Sequence, residues 1–181
     1  MENISNKELL GRLLRIPKKR IRGQSMYEIV NSLSDKRASL VKEICCRYGE
    51  KRKNEGDTFV NSQEIYNHFR MRLRHQVQES FICIYLDNKH RIISEKLISQ
   101  GTLNQSIVHP RECFAPAIQQ RSAAAILIHN HPSGECKPSQ QDIEITKRLC
   151  DVGKLVGIRI LDHIIIGDGY YSFVDEGILP E

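Results

Sequence analysis

Three apolar runs stand out against a polar background, and each has the length of a buried strand. They are Phe81-Ile82-Cys83-Ile84-Tyr85-Leu86, Ala123 to Ile128, and the pair Ile158-Arg159-Ile160-Leu161 and His163–Ile166. A polar turn, Asp87-Asn88-Lys89-His90, separates the first run from 91–100, which continues the sheet. Helical periodicity fills the intervals. Asn61 or Ser62 caps a helix carrying Ile65, Phe69, Leu73 and Val77, and further helices are predicted over 111–121 and Gln140–Cys150. Tyr170–Val174 reads as a last hairpin strand. Strands alternating with helices predict an α/β fold for residues 57–181.

The first 56 residues differ in character. Leu9, Leu10, Leu13 and Leu14, and later Leu40, Val41, Ile44, Cys45 and Tyr48, recur at helical spacing and predict short amphipathic helices. This part carries 14 Lys/Arg against 7 Asp/Glu, while residues 57–181 carry 13 against 15, so the net charge of +5 is concentrated at one end. Arg12, Arg15, Lys18, Lys19, Arg20 and Arg22 form one basic cluster and Lys51, Arg52 and Lys53 a second, beside an expected linker at Asn54-Glu55-Gly56-Asp57. Such clusters neutralise nucleic-acid phosphates without sequence preference, or form a solvated helix face.

Cysteine usage and hydropathy narrow the compartment. Cys45, Cys46, Cys83, Cys113, Cys136 and Cys150 show no C-x-x-C pairing and are expected as free thiols of a reducing compartment. No stretch has the length of a signal peptide or a membrane span, so the expectation is a cytoplasmic protein without membrane contact.

The chemistry gathers where the second apolar run ends. His129 and His131 follow Ile128, and in extended backbone residues two apart face the same side, so both imidazoles aim at one point. Asn130 faces away. Pro132-Ser133-Gly134 predicts a turn, Pro138-Ser139 a helix start, and Asp142 falls in that helix's first turn. Two neutral imidazoles and one carboxylate make a three-ligand set that leaves one tetrahedral position of a zinc ion open, the composition of a catalytic site. Ser139 and Asp142 equally fit an S-x-x-D helix cap.

The arrangement H-x-H-x7-S-x2-D, met by His129, His131, Ser139 and Asp142, resembles the JAMM motif of the JAB/MPN metalloprotease-like superfamily. The string His129-Asn130-His131-Pro132-Ser133-Gly134, Gly101-Thr102-Leu103-Asn104, His109-Pro110-Arg111-Glu112 and Asp162 to Gly167 are similar to its RadC branch, over roughly Asn61 to the C-terminus. The resemblance implies a cytidine-deaminase-like mixed sheet flanked by helices, preceded here by a small helical region. It implies one bound zinc, Glu79 as the base that activates water, Ser139 as a donor to the developing oxyanion, and a metallopeptidase or isopeptidase activity on a peptide or protein substrate. Glu64 and Glu95 are rivals to Glu79 on composition alone. RadC-like proteins often carry a helix-hairpin-helix region ahead of this domain, but Gly11, Gly23, Gly49 and Gly56 are isolated and no G-x-G hairpin appears.

Other residues have two readings each. His163 is either a partner that orients a metal ligand or a buried structural histidine. His109 and Arg111 bind substrate or cap the following helix, and His68, His75 and His90 read as surface residues. Cys136, inside the motif, is an incidental surface thiol or an inhibitory zinc ligand. The alternative function is a DNA-repair or recombination protein whose MPN-like domain is a non-catalytic scaffold. A zinc deaminase is disfavoured because its H-x-E and P-C-x-x-C strings are absent, and a two-metal nuclease lacks further carboxylates near the motif.

Overall fold

A computed structural model describes residues 53–74, 76–101 and 108–180. The predicted N-terminal helices, the basic cluster from Arg12 to Arg22, Lys51, Arg52, Cys45, Cys46, His75 and Thr102-Leu103-Asn104 lie outside the described residues.

The described chain runs α1 (Ser62–Leu73), β1 (Glu79–Leu86), β2 (Ile92–Gly101), α2 (Pro110–Gln119), β3 (Ala124–Asn130), α3 (Gln140–Val156), β4 (Arg159–Ile166) and β5 (Tyr170–Ser172). The five strands form one mixed sheet in the order β2-β1-β3-β4-β5. β1 is antiparallel to both β2 and β3, β3 is parallel to β4 through the α3 crossover, and β5 returns antiparallel to β4. The two strand-like pieces around Asp162 are therefore one strand, β4.

Alternation along each strand sorts the core into two layers. Phe81, Cys83, Tyr85, Ala125 and Leu127 pack with Cys113 and Phe114 of α2 and Leu149 and Cys150 of α3. Ile82, Ile84, Leu86, Ile126, Ile128, Ile164 and Ile166 pack with Ile65, Phe69 and Leu73 of α1. Both faces of the sheet are covered, which explains why its central strands are unbroken apolar runs rather than alternating ones. Each such Ile or Phe taken wholly out of water contributes about 1.5–3 kcal/mol before entropic costs.

Local chemistry explains the boundaries, and three differ from expectation. Asn61 caps α1, its side chain accepting from the Glu64 amide, but the helix ends at Leu73 and Val77 is 91% exposed rather than on the buried face. α3 continues past Cys150 to Val156. Gly153 is no helix stop: a Cβ there would lie 2.5 Å from the Ile158 carbonyl oxygen, so glycine lets the helix pass close to the start of β4. The true stop is Gly157, left-handed at φ 72°. Finally, the expected linker at Asn54–Asp57 is a turn docked on the sheet, with Gly56 N donating to Ile92 O at 2.8 Å and Ile92 N to Asp57 O at 2.7 Å.

No helix among the described residues is long and apolar enough to cross a membrane. Cys83, Cys113, Cys136 and Cys150 are free thiols.

Candidate metal centre

The site forms where β3 leaves the sheet and α3 begins. Strand alternation puts His129 on the face covered by α3, and the ladder continues one residue past β3, since His131 N donates to Ile166 O at 2.9 Å. Both imidazoles consequently meet the first turn of α3. His129 Nε2 lies 2.9 Å from His131 Nε2 and 3.2 Å from Asp142 Oδ1, and His131 Nε2 lies 3.4 Å from Asp142 Oδ2. Among the described residues, these three side chains are the cluster able to hold a metal ion.

The donor set fits such an ion. Bonds of about 2.0–2.1 Å at tetrahedral angles space ligand atoms about 3.3 Å apart, near the 2.9 Å between the two imidazole nitrogens and the 3.2 and 3.4 Å from each to one of the two Asp142 oxygens. The cluster borders a cleft of about 710 Å³ whose walls include Val77, Glu79, Gly101, His131, Ser139 and Asp142. His129 and Asp142 are buried and His131 is half-buried, so the ion would sit at the floor of the cleft.

Electrostatics agree with a site built for positive charge. Burial pushes the Asp142 carboxyl up, but the His129 and His131 imidazoles and the Ser139 hydroxyl beside it more than offset this and hold it well below the usual carboxylate range. Burial likewise pushes His131 down, yet the Asp142 carboxylate beside it, the Glu135 carbonyl on its Nδ1 and the Glu79 charge raise it. His163, buried and beside His129, is held far below the ordinary histidine range and is neutral.

Each of the three side chains is fixed by a different neighbour. His131 Nδ1 donates to Glu135 O at 2.7 Å. Asp142 is tied to Ser139 by a reciprocal cap: Asp142 N donates to Ser139 Oγ at 3.2 Å, and Ser139 N donates to Asp142 Oδ2 at 2.7 Å. The Ser139 proton goes to the same Oδ2, at 2.6 Å. Capping uses the lone pair of the hydroxyl and leaves its proton assignable, so the two expected roles of Ser139 do not collide. His129 Nδ1 lies 2.8 Å from His163 Nε2. His163 is thus a fully buried histidine in contact with His129.

Glu79 opens β1 and lines the cleft beside His131 and Asp142. The paired register of β1 and β3 ends at Phe81 and His129, and the Asn130 side chain takes over where the ladder stops. Its Oδ1 accepts from Ser80 N at 2.8 Å and its Nδ2 donates to Gln78 O at 3.2 Å. The two bonds bracket Glu79, so the residue between the histidines grips the backbone on both sides of the glutamate. Periodicity found Asn130 facing away from the ligands but gave no sign of this clamp, because its partners are 50 and 52 positions away.

Remaining candidates find structural work. Glu64 binds Val60 N at the start of α1, and Glu95 pairs with Arg72 at 2.5 Å, so neither rival of Glu79 faces the cleft. His109 caps α2, its Nδ1 accepting from Arg111 N, and Arg111 pairs with Glu112. His68 is half-buried against the Phe59 and Phe69 rings rather than at the surface. Cys136 is also half-buried; its sulfur accepts from Gly169 N at 3.3 Å. It belongs to the packing of the Gly134 and Gly167 loops, not to the ligand cluster.

Residues 59–178 match the profile of the RadC-like JAB domain. A UPF0758 protein of Syntrophotalea carbinolica is 48% identical over 138 residues, covering 76% of this chain and 61% of its own length. One of Geotalea uraniireducens is 48% identical with 76% and 60% covered, and one of Methanosarcina barkeri is 38% identical with 98% and 88% covered. This chain therefore spans about three-fifths of the length of the first two relatives.

Proposed function

Given that the chain belongs to the RadC-like JAB domain family, we propose that it is a zinc-dependent hydrolase of the metallopeptidase or isopeptidase type. One observation carries the proposal: a complete His129, His131, Asp142 donor set borders a cleft that Glu79 and Ser139 also line, so an ion held there would have room for a water. A scaffold has no need of an open metal position beside a carboxylate.

His129, His131 and Asp142 would hold the ion. When bound, zinc lowers the pKa of a water from 15.7 to about 7 and polarises a carbonyl. Glu79 takes up the proton of the attacking water as general base and returns it to the leaving amine. Ser139 turns its proton from Asp142 toward the developing oxyanion, a contribution of about 3–4 kcal/mol in well-studied hydrolases, while its lone pair goes on capping α3. Asn130 keeps Glu79 in place.

Two outcomes follow from these roles. Ser139→Ala is expected to lower kcat about 100- to 1,000-fold and to cost about 1 kcal/mol of stability through the lost cap, read by peptide hydrolysis and by urea unfolding. Asn130→Asp keeps the acceptor for Ser80 N but sets a carboxylate oxygen against Gln78 O. It is expected to lower kcat about 10- to 100-fold with zinc content unchanged, because a base displaced by an ångström loses that much. Unchanged kcat in Asn130→Asp would remove the clamp from the mechanism.

Hydrolysis of a peptide library by zinc-loaded protein, before and after chelation, tests the proposal as a whole. Cleavage that stops with chelator and returns with zinc supports it; no cleavage of any member at full zinc occupancy counts against it. Nucleic-acid binding is the second proposal, and it rests on the basic clusters of residues 1–56. Of these only Lys53 lies among the described residues, and its Nζ pairs with Glu64 at 2.8 Å.

A further inference from the structure

His163 is completely buried against the rings of Phe81 and Phe173, and each of its nitrogens meets one polar group. Nε2 lies 2.8 Å from His129 Nδ1, and Nδ1 lies 2.6 Å from Thr146 Oγ1. The direction of these contacts can be worked out from their far end. Thr146 donates its hydroxyl proton to the carbonyl oxygen of Asp142, one helical turn earlier in α3, and a carbonyl can only accept.

A hydroxyl has a single proton, so Thr146 Oγ1 meets His163 as an acceptor, and the His163 proton is on Nδ1. The neutral imidazole then carries a lone pair on Nε2. That lone pair accepts from His129, whose proton is thereby fixed on Nδ1. What remains on a neutral His129 is a bare Nε2, the atom that faces His131 Nε2 and Asp142 Oδ1. His131 reaches the same state independently, because its Nδ1 donates to the Glu135 carbonyl.

We infer that Thr146 and His163 are positioning residues for the metal: a one-way hydrogen-bond relay running from His129 through His163 and Thr146 to the Asp142 main chain holds His129 in its metal-binding tautomer. The inference rests on the metal site and not on the hydrolytic activity. It ties two ligands together, since α3 supplies one ligand through the Asp142 side chain and orients another through the Asp142 carbonyl. Reversing the relay would free that carbonyl and place a proton on His129 Nε2, where the ion must bind.

Thr146→Val, nearly isosteric, removes the acceptor for His163 Nδ1–H while touching no ligand side chain. It is expected to weaken zinc affinity about 10- to 100-fold, the usual effect of losing a partner that orients a ligand, while Thr146→Ser restores it. Zinc competition with a chromophoric chelator reads the affinity. Long-range proton–nitrogen NMR on metal-free, histidine-labelled protein, recorded at a pH where the imidazoles are neutral, reads the tautomer directly. In the wild type His129 is expected to be protonated at Nδ1 and bare at Nε2, and in Thr146→Val a proton appears on Nε2. Wild-type affinity in Thr146→Val, or a wild-type His129 protonated at Nε2, overturns the relay. The wild-type spectrum decides the matter even if Thr146→Val fails to fold. A wild type that binds no zinc but shows the expected tautomer would sink the metal reading and leave the relay standing.

Discussion

Glu79→Gln is expected to keep its zinc and lose its hydrolysis. Glutamine has the shape of glutamate but cannot take up a proton, so the substitution separates the base from the metal. General-base catalysis contributes about 100- to 10,000-fold, and the fall in kcat is expected in that range with KM little changed. Two features of the fold isolate the effect. Glu79 is the first residue of β1, with the apolar core beginning only at Phe81, and its backbone is held through Gln78 and Ser80 by Asn130, whatever its own side chain. Metal content measured in the same samples guards the interpretation. If Glu79→Gln binds stoichiometric zinc and cleaves at the wild-type rate, Glu79 is not the base.

The second large effect comes from taking away a ligand. Of the three, His131 is the cleanest to remove: His129 is fully buried, and Asp142 also closes the cap of α3, whereas His131 is half-buried and stands just beyond β3. His131→Ala is expected to weaken zinc by more than the 10- to 100-fold typical of an orienting partner, and to abolish hydrolysis with it. Stability reports the same loss without any substrate. A ligand present at 100 times its Kd stabilises the folded state by about 2.7 kcal/mol, so zinc should raise the melting temperature of the wild type by several degrees and leave that of His131→Ala where it was. Equal zinc shifts in the two proteins, measured by calorimetry, would exclude His131 as a ligand.

Local signals carried most of what could be read from the chain. His-x-His at the end of an apolar strand and an acid in the first turn of the next helix are separated by one short loop, so alternation and capping rules suffice to bring His129, His131 and Asp142 together. Glu79 required the resemblance, because only the β1–β3 pairing brings it to the cleft and no periodicity reports which strands pair. The clamp and the relay were out of reach for the same reason. Asn130 reaches across to Gln78 and Ser80, and His163 lies 34 positions from His129. Thr146 alone left a trace, since one turn after Asp142 it had to share that residue's helix face. Gly153 inside α3 is out of reach in the same way, because its cause, the Ile158 carbonyl 2.5 Å from where a Cβ would be, is a tertiary contact.

Zinc K-edge absorption on the loaded protein examines the centre itself. Two imidazole nitrogens and oxygen ligands at about 2.0–2.2 Å, four-coordinate and free of sulfur, are predicted for His129, His131, Asp142 and one open position. A sulfur shell near 2.3 Å would bring Cys136 into the site, and a protein that takes up no zinc at all would contradict the account at its root.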